Sequence, residues 1–241
     1  MTIFVTDDGR PVPVVTAATM REIDRIAIAD QTPTLSQMME NAGRSLALAA
    51  IDHLGPGWRE RSVAVCAGGG GNGGGGICAA RHLANHGGDV VLVLSESARL
   101  SSVTEQQLGI YLKTPGRVDH RGSFDPDLIL DAVIGYGLTD APRGPTRELI
   151  AWMTEVPAPV ISLDVPSGLD ATTGDTPGDA VQAVTTLTLA LPKTGLVSPL
   201  AGDLWLADLG IPSEVYATAG VQLSRAVFEG RYRIHLVRQT T

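Results

Sequence analysis

Short hydrophobic runs alternate along the chain with segments in which hydrophobic residues recur every three or four positions. The runs have the length and composition of buried strands, and they are SVAVCA (62–67), VVLVL (90–94), DLILD (127–131), PVISLD (159–164), TTLTLAL (185–191) and LWLAD (204–208). The periodic segments between them predict helices. Strands that alternate with helices predict an α/β, three-layer Rossmann-like fold with a mostly parallel central sheet flanked by helices.

Two capping-box patterns mark helix starts before the first of these strands. Thr19 followed by Glu22 predicts a helix from near Met20, and Thr34 followed by Gln37 predicts a second. Further helices are predicted over 77–86, 105–113 and 146–156. The tail from residue 221 onward carries no clear functional signal.

The composition agrees with an α/β core and a single domain. Hydrophobic residues make up 44% of the 241 residues and aromatic residues only 4%, so the core must be built from Ala, Val, Leu and Ile. A chain of this length is ordinary for one α/β domain. We therefore expect one domain over residues 1–241.

Charge and targeting signals narrow the classes of function. The formal net charge is −8 without a compensating basic cluster, which argues against nucleic acid and an anionic membrane surface as partners. The N-terminal segment matches neither a secretory signal nor a transit peptide, and no run reaches membrane-spanning length. Cys66 and Cys78 stand in apolar segments and are expected to be free thiols. These features predict a cytoplasmic protein.

A run of glycines from Gly68 to Gly76, interrupted only by Asn72, joins a predicted strand to a predicted helix. Glycines there allow close backbone approach, and the amides of a helix N-terminus suit an anionic group. The alternative is a flexible turn whose glycines only let the strand and the helix pack. Asn72, the single side chain in the run, favours a binding loop.

Two carboxylates end strands at one edge of the predicted sheet, where open parallel sheets bind ligands. Asp131 ends LILD and Asp164 ends VISLD. Their oxygens, with the amide oxygen of Asn72 and the hydroxyl of Ser167, suit a hard cation rather than zinc. Either Asp by itself is also typical of a helix cap or a turn.

The residue patterns of other common catalytic mechanisms are not recognisable in the sequence. The sequence has no GxSxG elbow and no Walker lysine after the glycines, which disfavours nucleophilic hydrolysis and phosphoryl transfer. His82 and His86 lack a cysteine or carboxylate at zinc spacing and are interpreted as helix-surface and helix C-terminal residues. Glu96 could face a ribose in a dehydrogenase, but no acid or base for hydride transfer is recognisable.

Taken together, the motifs resemble the NAD(P)H-hydrate epimerases, the YjeF N-terminal domain family, over residues 20–212. The matching stretches, in the family's order, are MREIDRIAI, LSQMMENAGR, the glycine run with CAARHLANHGGDVVLVL, DLILDAVIGYGL, APVISLDVPSGLDATTGD, LPKTGL and LADLGIP. The resemblance implies a Rossmann-like fold, a homodimer and isomerase activity on NADH and NADPH hydrates, damaged cofactors that carry water on the reduced ring. It also implies a bound potassium ion.

The resemblance further implies roles for particular residues. The family's potassium ligands match Asn72, Asp131 and Ser167. Asp164 matches the catalytic, proton-handling carboxylate, and Lys193 either helps to position it or is an ordinary strand-end lysine. The substrate-binding positions match Gly71, Asn72, Gly73, Gly74, Gly75, Gly135, Tyr136, Gly137, Leu138, Thr139, Asp140, Ala141 and Asp164.

The glycine run departs from the family pattern Gly-Pro-Gly-Asn-Asn-Gly-Gly-Asp-Gly at three positions. Gly69 replaces Pro, Gly71 replaces the first Asn and Gly75 replaces Asp, so an amide and a carboxylate are missing. Two alternatives to epimerisation therefore stay open: an enzyme of the same family with a different small-molecule substrate, and a nucleotide-binding module without catalysis.

Overall fold

The hydrophobic runs of the sequence form the centre of a ten-stranded sheet. The computed structural model describes residues 2–95, 99–121 and 123–240. Its strands are β1 (Thr2–Thr6), β2 (Pro11–Val12), β3 (Ser62–Ala67), β4 (Asp89–Leu94), β5 (Arg117–Val118), β6 (Leu128–Ala132), β7 (Val160–Leu163), β8 (Thr185–Leu189), β9 (Asp203–Ala207) and β10 (Arg233–Thr240). They follow the order β2-β1-β10-β9-β8-β7-β6-β3-β4-β5. All pairings among β3 to β9 are parallel, which confirms the predicted mostly parallel sheet.

Helices cover both faces of this sheet. They are α1 (Ala17–Ala29), α2 (Leu35–Leu54), α3 (Gly71–Asn85), α4 (Ser102–Tyr111), α5 (Gly144–Glu155) and α6 (Ser213–Thr218). Because alternate strand residues face opposite sides, Val63 and Val65 pack with α2 and α3, whereas Ala64 and Cys66 pack with α5. This arrangement is the predicted three-layer fold. Both Cys66 and Cys78 are buried free thiols.

The start of α2 confirms one of the two predicted capping boxes. Thr34 accepts a hydrogen bond from the Gln37 amide, and the Gln37 side chain accepts one from the Thr34 amide. The helices predicted over 77–86, 105–113 and 146–156 occur as α3, α4 and α5 with shifted ends, and His86 is the C-cap residue of α3. No helix in the described ranges is both long and apolar enough to cross a membrane.

The start of α1 contradicts the other capping box. Thr16 is the N-cap residue, and its hydroxyl accepts a hydrogen bond from the Thr19 amide. The helix therefore begins earlier than the predicted start near Met20. Glu22 does not cap the helix, because its carboxylate binds Arg25 on the exposed face.

The glycine run is mostly helix, so the expectation of a loop through its whole length is wrong. α3 begins at Gly71, which leaves three glycines outside it. A Cβ on Gly73 would lie 1.8 Å from the Gly68 carbonyl oxygen, and one on Gly76 would lie 2.4 Å from the Ala132 Cβ. Glycine thus lets the first turns of α3 pack directly on the tips of β3 and β6. Tertiary packing overrides the low helix propensity of the residue.

The two ends of the chain form an antiparallel border that was not predicted from the sequence. β10 pairs with β9 and with β1, and β1 pairs with β2, all in antiparallel orientation. In β10, Ile234 and Leu236 are buried, whereas Arg233 and His235, which alternate with them, are half-buried. That alternation is the signal that could have identified the strand.

The packing of α2 on α3 yields a stability prediction at Gly43. An added Cβ there would lie 2.5 Å from both the Cβ and the Sγ of Cys78. Gly43→Ala is therefore expected to lower the free energy of unfolding by about 1–3 kcal/mol, the usual cost of overpacking, as measured by urea denaturation. Gly109→Ala is the matched control, because its added Cβ would meet nothing within 4 Å. The control should be neutral or stabilising by up to ~1 kcal/mol, and equal stabilities would contradict this account.

Candidate functional site

A cavity lies beyond the carboxyl ends of the parallel strands, where the strand order changes direction. β4 and β5 extend the sheet to one side of β3, whereas β6 to β9 extend it to the other. Such a switch point is where open α/β sheets bind ligands. The cavity has a volume of about 410 Å³, which suits a small molecule. Segments that follow β3, β6 and β7 line it together with residues of α1 and α2.

Asp131, fully buried near the end of β6, joins the two loops beside the cavity. Its carboxylate accepts hydrogen bonds from the hydroxyls of Ser162 (2.8 Å) and Ser167 (2.5 Å). It also accepts hydrogen bonds from the backbone amides of Ser167 (2.8 Å) and Val133 (3.2 Å). Burial raises the pKa of Asp131, and these hydrogen bonds oppose that rise. The Ser167 hydroxyl also accepts a hydrogen bond from the Ile134 amide at 2.8 Å. The Asp131 carboxylate, together with Ser167, therefore links the loop after β6 to the loop after β7.

Asp164 follows β7 directly and is held by a buried ion pair. Its φ of 70° is in the left-handed region, which a residue with a Cβ rarely adopts. The carboxylate binds the ammonium group of Lys193, a side chain that is 1% exposed, and accepts the Tyr136 amide at 3.0 Å. Lys193 also donates to the Leu189 carbonyl at 2.8 Å. A strained backbone and a buried charge pair at a cavity wall are typical of a functional position.

Asn72 lies in the first turn of α3 and lines the cavity. Its side-chain nitrogen is buried without a hydrogen-bond partner among the described residues. A buried amide of this kind is normally completed by a ligand or by water. A Cβ on Gly135 would lie 2.9 Å from an Asp164 carboxylate oxygen and 3.1 Å from the Asn72 amide oxygen. Glycine at 135 thus leaves the space in which Asn72 and Asp164 face each other.

Helix α1 contributes Asp24, which was not predicted from the sequence. Asp24 is half-buried, lines the cavity and accepts a hydrogen bond from the Tyr136 hydroxyl. Burial raises the pKa of Asp24, and it also raises the pKa of the Tyr136 hydroxyl. The guanidinium group of Arg21 stands 5.9 Å from the centre of the Tyr136 ring. Asp24 is part of the MREIDRIAI motif, but no strand end or cap singles it out there.

The residues predicted for the site fall into groups by position. Those that line the cavity are Gly71, Asn72, Gly75, Gly135, Tyr136, Gly137 and Asp164. Those that are buried next to lining residues are Asp131, Ser167 and Lys193. Those that line a separate depression are Leu138, Thr139, Asp140 and Ala141. The two that pack inside, against the Gly68 carbonyl and Met39, are Gly73 and Gly74.

The two altered positions of the glycine run that line the cavity differ in the space around them. A Cβ on Gly75 would lie 2.9 Å from the Cδ2 of Leu163 and 3.6 Å from the Cβ of Ala42. A Cβ on Gly71 would meet only the methyl group of Met39, at 3.9 Å. Leu163 thus fills the space beside position 75, whereas position 71 has room for a side chain.

His82 is more than a helix-surface residue, which corrects the interpretation made from the sequence. Its Nε2 lies 2.8 Å from Glu40 Oε1, and the Sγ of Cys78 lies 3.4 Å from Glu40 Oε2. A guanidinium nitrogen of Arg81 lies 2.5 Å from Glu40 and 3.2 Å from Cys78. The Arg81 guanidinium group therefore supplies the positive charge in this cluster, and the side chains form charge-assisted hydrogen bonds. Glu96, the candidate ribose contact, lies outside the described residues.

Comparisons with known proteins agree on one family. The family described as YjeF-related protein N-terminus matches residues 35–195. An NAD(P)H-hydrate epimerase of Dehalogenimonas lykanthroporepellens is 49% identical and aligns over 97% of this chain and 96% of its own length. A bifunctional NAD(P)H-hydrate repair enzyme Nnr of Moorella thermoacetica is 34% identical over 85% of this chain, which spans only 42% of that protein. The crystal structure of yeast ynu0 superposes with a TM-score of 0.78 at 23% identity, covering 95% of this chain and 100% of that one, a likeness of fold.

The Lys193–Asp164 pair yields a prediction on stability. Lys193→Met leaves Asp164 buried and unpaired, which is expected to cost about 3–5 kcal/mol of unfolding free energy. Adding Asp164→Asn should restore part of the loss, because a neutral amide needs no counterion and Asn tolerates the left-handed backbone. Urea denaturation of the wild type, both single variants and the double variant measures the coupling. Additive losses would show that the two side chains do not act as a pair.

Proposed function

We propose that this chain, which belongs to the YjeF-related protein N-terminus family, epimerises the hydrated nicotinamide ring of NADH and NADPH. It is an isomerase that acts in metabolite repair. The relative that bears the name of this activity aligns with the chain over nearly the full length of both. The observation that carries the proposal is Asp164, a carboxylate held by a buried lysine at the wall of a cavity for a small molecule.

The reaction needs proton transfer and no redox partner. Water adds to the reduced ring at the carbon beside the ring nitrogen. The hydroxyl can therefore leave as water while the nitrogen lone pair forms a C=N bond, and water that adds to the opposite face of the planar carbon gives the other epimer. Asp164 exchanges the proton with the hydroxyl, a contribution of about 10²–10⁴-fold in rate. Lys193 pairs with this carboxylate and orients it.

We assign the substrate contacts to the first turns of α3 and to the loop after β6. The amides of Gly71, Asn72 and Gly73 in the first turn of α3 suit the pyrophosphate of a dinucleotide, because they have no acceptor within the helix. Gly135 to Gly137 border the cavity, and the depression lined by Leu138 to Ala141 adjoins it. Apolar side chains of α2, including Met38 and Met39, also line the cavity and would contact the ring.

The residues assigned to potassium offer oxygen ligands, which hard cations prefer. These are the carboxylate of Asp131, the hydroxyl of Ser167 and the amide oxygen of Asn72. The set fits a cation in its donor chemistry, because all three ligand atoms are oxygens, the Ser167 hydroxyl can turn its proton away, and Asn72 lines the cavity. A bound potassium ion would supply fixed positive charge beside the substrate phosphates and would hold the loops after β6 and β7.

The proposal also includes a homodimer, a cytoplasmic location and a single domain over residues 1–241. The family resemblance supports the dimer, and the composition supports the domain. The substrate is a small molecule rather than a nucleic acid or a membrane, which agrees with the net charge of −8.

The decisive activity test uses one resolved epimer of NADPH hydrate. The protein is expected to convert it to the other epimer faster than the uncatalysed rate, as followed by chromatography. Asp164→Asn should lower kcat by about 10²–10⁴-fold, because an amide cannot exchange the proton. Asp175→Asn changes an exposed carboxylate outside the cavity lining and should keep wild-type activity. A wild-type rate equal to background would favour a different substrate or a binding role without catalysis.

Thermal unfolding tests the cation site. Potassium is expected to raise the unfolding midpoint relative to lithium at equal ionic strength, because a ligand that binds the native state stabilises it. The difference should disappear in Asn72→Ala and persist in Asp175→Asn. Equal midpoints of the wild type in both salts would refute the assigned site.

A further inference from the structure

We infer that Asp24, oriented by Tyr136, is a second proton-transfer residue of this site and acts on the face of the substrate ring opposite Asp164. The inference rests on the proposed epimerisation and extends it to helix α1. Among the described residues, Asp24 and Asp164 are the carboxylates that line the cavity. Asp164 reaches the cavity from the sheet edge and Asp24 from helix α1, so the two carboxylates approach a bound ring from different walls.

Tyr136 sets the separation of the two carboxylates. Its amide donates to Asp164 at 3.0 Å, and its hydroxyl donates to Asp24. The two acids are therefore held apart by the length of a tyrosine side chain, which leaves room between them for a flat ring. Carboxyl pairs that act on opposite faces of a sugar ring are held apart in the same way, so that a water molecule fits.

The two acids have different partners. Asp164 pairs with the buried ammonium group of Lys193, whereas Asp24 accepts a hydrogen bond from the neutral phenol of Tyr136. Burial raises the pKa of Asp24, although the hydrogen bond from Tyr136 and the charge of Lys193 oppose the rise. Two titratable groups in environments that differ in this way are suited to act as acid and base.

One carboxylate accounts for exchange of the hydroxyl but not for its inversion. If the same group protonates the leaving hydroxyl and activates the returning water, the water returns to the face it left. Inversion requires Asp24 to give its proton to the hydroxyl while the C–O bond breaks with its electron pair on oxygen. Asp164 then takes a proton from a water molecule that adds to the other face. One water leaves, one enters, and exchange with solvent returns the transferred proton; the reverse reaction uses the two residues in exchanged roles.

Water labelled with oxygen-18 distinguishes the roles of the two acids. The wild type should incorporate one solvent oxygen for each inversion. Asp24→Asn should lower the rate of inversion by about 10²-fold or more, yet it should retain label exchange in the epimer whose hydroxyl faces Asp164. Mass spectrometry after chromatographic separation of the epimers measures both rates.

Tyr136→Phe frees Asp24 from its hydrogen bond and should lower the rate of inversion by a smaller factor, about tenfold.

The matched control is Asp30→Asn, an exposed carboxylate at the end of the same helix. It should leave both rates at the wild-type value, and urea denaturation verifies that each variant is folded. Wild-type inversion in Asp24→Asn, or an equal loss of inversion and exchange in both epimers, would overturn the role of Asp24. Inversion with retention of the original oxygen in the wild type would overturn it as well. A wild type without any epimerisation would instead refute the proposed function itself, so the two failures are distinguishable.

Discussion

The structure depends on the close approach of helix α3 to the tips of β3 and β6. A glycine inside a helix costs about 0.8–1.0 kcal/mol relative to Ala, and five of the first six residues of α3 are glycine. The contacts explain why glycine is needed here despite this cost. The Gly68 carbonyl and the Ala132 side chain occupy the places where Cβ atoms on Gly73 and Gly76 would stand. On the opposite side, Gly43 brings α2 equally close to Cys78. Two helices and the sheet edge are thereby fixed to one another with almost no side chain between them.

Within this framework, the buried carboxylates of Asp131 and Asp164 are held by different partners. Asp131 has a structural role, whereas Asp164 is the carboxylate proposed for the chemistry. Asp131 is stabilised by hydroxyl and amide donors, so its negative charge organises two loops. Asp164 pairs with the ammonium group of Lys193, accepts a hydrogen bond from the Tyr136 amide and stands at the cavity wall on a left-handed backbone. Asp131 is fully buried, whereas Asp164 borders the cavity, where a ligand can meet it.

Much of this arrangement could be predicted from the sequence, because buried parallel strands are continuous hydrophobic runs. The strand-end positions of Asp131 and Asp164 followed from the same pattern, and the family resemblance supplied Lys193. The helical state of the glycine run was out of reach, because it results from contacts with residues far along the chain rather than from local propensity. Asp24 was missed for a similar reason: its part in the site depends on Tyr136, 112 positions away in the sequence.

The replacement of a family carboxylate by Gly75 changes the enclosure of the cavity and leaves in place the two carboxylates proposed for proton transfer. Leu163 fills the space beside position 75, so this part of the wall is apolar. An apolar wall suits an uncharged reduced nicotinamide ring, and low local polarity strengthens the attraction between Lys193 and Asp164. In the proposed mechanism the acid functions belong to Asp164 and Asp24, which reach the cavity from the sheet and from α1. The altered glycine run is therefore compatible with the proposed chemistry, because the two carboxylates to which we assign proton transfer are present at the cavity.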